Sequence, residues 1–137
     1  VVQLSCNVDD MTAEAMGFAM ERLYEAGALE AFTVPVGMKK SRSGLLLTVI
    51  CRPEQQEELV RAIFRHTTTI GIRMSEKRRA VLDRRIETLE TPYGTVRKKH
   101  VSGYGVERWK YEYEDLARIA KAQGISLTEA AALADQG

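Results

Sequence analysis

The sequence has few of the features that would assign it to a specialised class of protein. Two cysteines, Cys6 and Cys51, are too few for a disulfide scaffold and lack CxxC spacing, so we expect buried free thiols. No apolar run approaches the roughly 20 residues of a membrane-spanning helix, and the first residues carry no signal-peptide pattern. A net charge of +1 provides no overall attraction to nucleic acid or to membranes. We therefore expect a cytoplasmic globular protein in which anion binding depends on local clusters of charge.

The first half of the 137-residue chain does contain a clear succession of strand and helix patterns. Residues 2–8 alternate apolar and polar side chains, which predicts a strand with one buried face. Asp9, Asp10 and Thr12 then offer capping oxygens to a helix that we expect to end at Gly27. The chain therefore starts with a strand and a helix.

Two more strands, a second helix and a fourth strand follow. The apolar runs at 32–36 and 45–51 predict strands, and Pro53 suits the first turn of a helix. Residues 70–74 alternate as a fourth strand after a threonine run that cannot comfortably extend the helix. The resulting order, βαββαβ, predicts a ferredoxin-like arrangement, a four-stranded antiparallel sheet with both helices on one face.

The second half of the chain predicts a smaller part of a different kind. Strand patterns at 81–89 and 96–101 flank the turn at 91–94, and a further strand is possible over 106–113. Two helices follow, the first closed by a glycine and the second opened by capping-box spacing. We therefore predict an α+β chain. Its ferredoxin-like subdomain would cover residues 1–78, with a β-hairpin and C-terminal helices packed on it over residues 79–137.

The loop MKKSRSG, residues 38–44, concentrates cations and hydroxyl groups between two predicted strands. Lysine opposes phosphate as a compact cation, arginine can bind two oxygens at once, and glycine permits close backbone approach. The residues that could contact phosphate are Lys39, Lys40, Ser41, Arg42 and Gly44. The GxxxxGK[ST] spacing of a P-loop is absent. An ordinary solvated hairpin turn therefore remains an equally open interpretation.

Three other groups of residues could take part in binding an anion or a cation. Asp9 and Asp10 could hold a divalent ion that bridges to phosphate, or could simply cap the helix. The stretch 67–73 offers three threonine hydroxyls and Arg73, although the strand propensity of threonine explains it nearly as well. Residues 73–99 hold nine basic and four acidic side chains. This surplus either protects exposed strand edges or forms the wall of an anion site.

Six separated motifs, in order along nearly the whole chain, resemble the C-terminal domain of LarC. This family comprises the nickel-insertion enzymes, or cyclometallases, of nickel-pincer nucleotide cofactor synthesis. The motifs are Asn7-Val8-Asp9-Asp10-Met11, Gly27-Ala28-Leu29-Glu30, Met38-Lys39-Lys40 with Arg42 and Gly44, Thr67-Thr68-Thr69-Ile70-Gly71-Ile72-Arg73, Tyr93-Gly94-Thr95-Val96 with Lys98, and Lys110 with Glu112-Tyr113-Glu114-Asp115. The family loop usually reads Lys-Lys-Gly-Arg-Pro-Gly, whereas Ser41 and Ser43 replace its first glycine and its proline here.

The resemblance implies a CTP-dependent enzyme of the lyase class that inserts nickel into pyridinium-3,5-bisthiocarboxylic acid mononucleotide while CTP is hydrolysed. The product is the cofactor of lactate racemase, and this chain would be the CTP-binding part, with an N-terminal domain missing. CTP would bind with Mg²⁺ or Mn²⁺. The implied triphosphate contacts are Lys39, Lys40 and Arg42, with Thr68, Arg73 and Lys98 as further contacts and Asp9 or Asp10 near the divalent ion. No catalytic residue and no nickel ligand is evident.

Two other classes of function can be weighed against this one. An RNA-binding βαββαβ module would carry stacking aromatics on its first and third strands, and VVQLSCN and LLLTVIC contain none. A non-catalytic oligomeric module that senses a nucleotide stays open, because one fold hosts many functions. Because exposed strand edges can pair with another copy of the chain, our hypothesis is a homo-oligomer, either a trimer or a hexamer.

Overall fold

The computed structural model describes residues 1–136, which divide into two compact units, Val1–Arg79 and a second unit that begins at Ala80. The elements of the first unit are β1 (Val2–Val8), α1 (Ala13–Glu25), β2 (Glu30–Met38), β3 (Arg42–Cys51), α2 (Gln56–His66) and β4 (Arg73–Glu76). The strands pair antiparallel in the order β2-β3-β1-β4. This is the βαββαβ order that the hydrophobic pattern predicts.

The core of the first unit lies between one face of its sheet and the two helices. Leu4 pairs in register with Val49, so both side chains point to the same face, and neither is exposed. Leu23 from α1 and Ile63 from α2 pack into the same apolar cluster. The period-two pattern of β1 and the helical spacing of the apolar residues in α1 therefore meet in one core, with both helices on one side of the sheet.

Two local expectations for the first unit need correction. Helix α1 is capped by Thr12, whose Oγ1 accepts from the N–H of Ala15 at 3.1 Å, whereas Asp9 and Asp10 make other contacts. The fourth strand starts at Arg73 and does not include Ile70, which is 99% exposed. Threonine hydroxyls in this segment bond to nearby backbone groups instead, and such local bonds compete with strand pairing.

The second unit contains β5 (Asp83–Thr91), β6 (Gly94–Gly103), β7 (Val106–Tyr111), α3 (Tyr113–Gln123) and α4 (Leu127–Gln136). The three strands form one antiparallel sheet in chain order. Val96 from β6 packs with Ile119 of α3 and Ala130 of α4 in a separate core. As predicted, Gly124 ends α3 with φ of 67°, and the N–H of Glu129 donates to Ser126 Oγ at 3.1 Å. The α+β class is confirmed.

The two cysteines, Cys6 and Cys51, are buried and free, as expected. Burial raises the pKa of the Cys6 thiol, and a hydrogen bond with Thr69 and the charge of Arg73 only partly oppose this effect. A neutral buried thiol is a poor nucleophile and a poor metal ligand. Across residues 1–136, no helix is both long enough and apolar enough to cross a membrane.

Candidate anion-binding site at the end of strand β1

The loop between β2 and β3 is a tight three-residue turn. Met38 and Arg42 are still paired in register, so only Lys39, Lys40 and Ser41 form the connection. Lys40 and Ser41 have φ of 59° and 57°, in the left-handed region that residues with a side chain seldom occupy. All three side chains are exposed. The turn therefore presents two lysines to solvent at the end of the β2–β3 hairpin.

Arg42 and Asp9 connect this turn to the end of β1. The Arg42 guanidinium lies 3.6 Å from Asp9 Oδ2, and the Asp9 side chain is 26% exposed. The pairing of Val8 with Leu45 brings the two residues together, because it places the start of β3 beside the end of β1. The contact puts one cation and one carboxylate at the same end of the sheet.

The threonine-rich segment reaches the same end of β1 from the other side. The Thr68 hydroxyl donates to Asp10 Oδ1, and Arg73 Nη2 donates to Asn7 Oδ1 at 2.6 Å. Arg73 is the first residue of β4, the neighbour of β1 in the sheet. Strand β1 is central and therefore collects polar partners from both of its neighbours. Five residues singled out in the sequence thus come together around residues 7–10: Asp9, Asp10, Arg42, Thr68 and Arg73.

Asp9 and Asp10 fit a divalent cation only in part. Within residues 1–136, no group of three or more His, Cys, Asp or Glu side chains is placed to hold a metal ion. Two carboxylates are nevertheless the hard oxygen donors that Mg²⁺ prefers, and this ion usually keeps waters and substrate phosphates in its remaining positions. The pair is therefore suited to an ion that arrives with a phosphate group.

Gly44 has a role in packing that does not depend on a ligand. A side chain there would meet the Sδ of Met38 and would lie 2.8 Å from the carbonyl oxygen of Val8. The Met38 side chain can move, but the Val8 carbonyl belongs to the central strand. The close approach of β3 to β1 therefore requires glycine at this position.

Lys98 belongs to the second unit, on β6. Its Nζ lies 3.6 Å from the centre of the Trp109 ring, a cation–π contact. Sequence reasoning did not single out Trp109, and it named Asn7 within a motif without assigning it a contact. It also did not foresee the exposure of Ile70 beside the threonines. Lys98 pairs with Tyr111, and His100 pairs with Trp109, across β6 and β7. These pairs depend on how the two strands align, so the spacing of residues within one strand does not indicate them.

The fold and the charged residues around β1 define an α+β protein with a candidate site for a phosphate-bearing ligand. The chain belongs to the nickel insertion protein family, whose model matches residues 1–131. It is 41% identical over 129 residues to the pyridinium-3,5-bisthiocarboxylic acid mononucleotide nickel insertion protein of Acetivibrio thermocellus. It is 46% identical over 123 residues to the protein of the same name from Alkaliphilus metalliredigens.

These relatives are longer than this chain. The alignments cover 94% of this chain but 32% of the Acetivibrio protein, and 89% of this chain but 29% of the Alkaliphilus protein. A solved structure covers the same extent as this chain: LarC2, the C-terminal domain of a cyclometallase involved in the synthesis of the NPN cofactor of lactate racemase, in its apo form. It matches with a TM-score of 0.88 and 34% identity, over 97% of this chain and 92% of that one. The predicted resemblance is confirmed.

Proposed function

We propose that this chain is the nucleotide-binding part of a nickel insertion protein and that it binds CTP with Mg²⁺ or Mn²⁺ at the end of strand β1. The intact protein would insert nickel into pyridinium-3,5-bisthiocarboxylic acid mononucleotide, the substrate that the names of its relatives carry, with hydrolysis of CTP. The observation that supports the site most directly is the contact of Arg42 with Asp9 beside that of Thr68 with Asp10.

The residues of the turn would neutralise the triphosphate. Lys39 and Lys40 are exposed and act as compact cations, and Arg42 can give two parallel hydrogen bonds to phosphate oxygens. Thr68 and Arg73 would add a hydroxyl and a second guanidinium from the other side of β1. Positioning and charge neutralisation account for most of the catalysis in phosphoryl transfer, so the site needs no histidine or cysteine nucleophile.

The two carboxylates make a divalent ion necessary in this proposal. Asp9 and Asp10 lie at the same end of the sheet as the cations, and a bare triphosphate would be repelled by both. A bound Mg²⁺ or Mn²⁺ would convert that repulsion into attraction by bridging a carboxylate and a phosphate oxygen. In this arrangement, Asp9 and Asp10 make nucleotide binding depend on the metal.

Oligomerisation is part of the same proposal. Strand β2 is one of the two edge strands of its sheet, and two of its apolar side chains, Phe32 and Val34, are 39% and 41% exposed. An apolar edge strand is a ready surface for pairing with another chain. We propose a homo-oligomer, a trimer or a hexamer, in the cytoplasm, together with an N-terminal domain. Light scattering at working concentration tests the first point, and a monomeric mass would contradict it.

Calorimetric titration tests the proposed site. The chain is titrated with CTP and with ATP, each with Mg²⁺, and the titrations are repeated with Lys39→Ala/Arg42→Ala. We expect binding selective for CTP that weakens on the order of tenfold or more in the variant, because charge-assisted hydrogen bonds are worth roughly 1.5–3 kcal/mol each. Assay of the same samples for CDP and for CMP separates binding from hydrolysis, because hydrolysis releases either CDP with phosphate or CMP with pyrophosphate.

A matched control is available on α2. Arg61→Ala/Arg65→Ala also removes two exposed positive charges, and Arg61 forms an ion pair with Glu57 on its own helix, at 3.2 Å. The control variant should bind CTP as the original chain does. Equal loss in both variants would mean that net charge, rather than the turn, governs binding.

A further inference from the structure

One face of the three-stranded sheet in the second unit carries two neighbouring rows that are rich in basic side chains. Residues directly opposite each other in an antiparallel register share a face. Arg84, Val101 and Arg108 form one such row across β5, β6 and β7, and the neighbouring row consists of Ile86, Lys99 and Lys110. These two rows are called the basic face below: Arg84, Ile86, Lys99, Val101, Arg108 and Lys110.

The acidic residues of the same strands lie almost entirely on the opposite face. Asp83, Glu87 and Glu107 alternate with the residues of the basic face, and Glu87 pairs with His100 at 2.7 Å. Glu90 is on the same side as the basic face, but it accepts from the Thr95 hydroxyl near the hairpin turn. The positive charges of the basic face are therefore not balanced within the sheet.

The arrangement has a cost for the folded chain. Lys99 is half-buried and lies directly opposite Lys110, and like charges in opposing positions destabilise a sheet. Among residues 1–136, no acidic side chain forms an ion pair with Arg84, Lys99, Arg108 or Lys110. An anionic ligand would remove the repulsion that the sheet itself leaves in place.

A cavity of about 380 Å³ lies at this surface, lined by Lys99, Val101, Arg108, Trp109 and Lys110. Its volume falls in the range of sites for small ligands. Three of the five residues that line it are cationic, and Val101 contributes an apolar contact. This combination suits a ligand that carries two or more separated acidic groups next to an apolar part.

We propose that the basic face binds the phosphate and acid groups of an anionic pyridinium mononucleotide, the class of compound named as the substrate of the relatives. This inference rests on the proposed function, because that function supplies the compound class, but it concerns residues other than those assigned to CTP. Arg108 can bind two phosphate oxygens at once, and Lys99 and Lys110 oppose a carboxylate or thiocarboxylate.

Nicotinic acid mononucleotide is the probe, since it carries a pyridinium ring, a carboxylate and a phosphate. We expect it to bind the chain in a calorimetric titration, whereas nicotinamide riboside, which lacks both acidic groups, does not bind. Lys99→Gln/Lys110→Gln should weaken binding on the order of tenfold or more. The control variant Arg85→Gln/Lys121→Gln loses the same charge outside the basic face and should retain binding.

Thermal melting of the free chain verifies that the variant folds. Removal of the Lys99–Lys110 repulsion should leave the melting temperature unchanged or raise it. If the double variant does not fold, the same titration is made with Arg108→Gln, which lines the same cavity.

The results of the probe titrations distinguish binding at the basic face from binding at the proposed CTP site. Binding of nicotinic acid mononucleotide that is lost in Lys99→Gln/Lys110→Gln and unaffected by CTP supports the basic face, even if CTP itself does not bind. Three results would overturn it: no binding at millimolar probe, equal binding in both double variants, or displacement of the probe by CTP. The last result would assign the basic face to the triphosphate instead.

Discussion

Arg97 and Asp115 form a bidentate ion pair in the second unit. Arg97 Nε donates to Asp115 Oδ2 at 3.0 Å and Nη2 donates to Oδ1 at 3.1 Å, while the backbone N–H of Arg97 donates to Oδ2 at 2.8 Å. Asp115 is 9% exposed and lies in the first turn of α3. The pair therefore ties the start of α3 to strand β6.

Substitution of Asp115 should show how much this pair stabilises the fold. Hydrogen bonds with Arg97 lower the pKa of the Asp115 carboxyl below its ordinary value of 3.8. The pair therefore adds stability above that ordinary pKa and loses it as the pH falls through the lowered folded value. Asp115→Asn should reduce the free energy of unfolding by roughly 2 kcal/mol at pH 7, and by clearly less at pH 3.

Urea unfolding at both pH values, followed by the fluorescence of Trp109, measures this difference in the second unit. Glu114→Gln is the control, because Glu114 is exposed in the same turn of α3. An Asp115→Asn effect of the same size at pH 3 and pH 7 would contradict the ionic origin of the stabilisation.

Ser41 offers a second test, at the turn of the candidate site. With φ of 57° its backbone is in the left-handed region, which costs an L-residue roughly 1–2 kcal/mol, whereas glycine occupies it freely. Ser41→Gly should therefore raise the free energy of unfolding by about 0.5–1 kcal/mol, after allowance for the greater freedom of unfolded glycine. Ser43→Gly, in strand β3, should lower it instead.

Chemical denaturation of the two serine variants measures both effects under one condition. Stabilisation by Ser43→Gly as well, or destabilisation by Ser41→Gly, would show that backbone strain at the turn is not the cause. CTP titration of Ser41→Gly would also show whether the backbone conformation of this turn affects nucleotide affinity.

The succession of elements could be predicted because it depends on local patterns. The alternation in residues 2–8 and the apolar run before Cys51 reflect burial in a sheet, and both became strands of the first core. Residues 70–72 did not follow their pattern. Their alternation with Met74 resembles a strand, but they form a loop in which the hydroxyls of the preceding Thr67 and Thr69 bond to the backbone.

The sequence could predict which residues belong to the candidate site, but not which of them contact each other. Asp10 and Thr68 are 58 residues apart, and they meet because β1 and β4 are neighbours in the sheet. The pairing of Arg97 with Asp115 depends in the same way on where α3 begins relative to β6. The spacing of residues along one sequence does not indicate which distant segments lie side by side. These contacts could therefore be identified only from the three-dimensional structure.

Gly44 yields a prediction that separates packing from ligand binding. Gly44→Ala would force a Cβ against the Val8 carbonyl and the Met38 side chain, so we expect a loss of roughly 1–3 kcal/mol in the free energy of unfolding without any nucleotide. Gly37→Ala is the control, since no atom lies within 4 Å of the added Cβ. Denaturation of the free chain measures this difference, and an unchanged stability in Gly44→Ala would contradict the packing requirement for glycine at this position.

Metal dependence is the sharpest test of the carboxylates at the end of β1. CTP affinity is measured with Mg²⁺ and with EDTA, in the original chain and in Asp10→Asn. Because the amide oxygen of asparagine can still accept from Thr68, the variant should keep its fold while losing one negative charge. With EDTA, Asp10→Asn should bind CTP more tightly than the original chain, since less charge repels the triphosphate. With Mg²⁺ the order should reverse, by a factor on the order of ten, because a carboxylate ligand of the ion is gone. Weaker binding of the variant under both conditions would mean that Asp10 supports the loop of Thr68 rather than a metal ion.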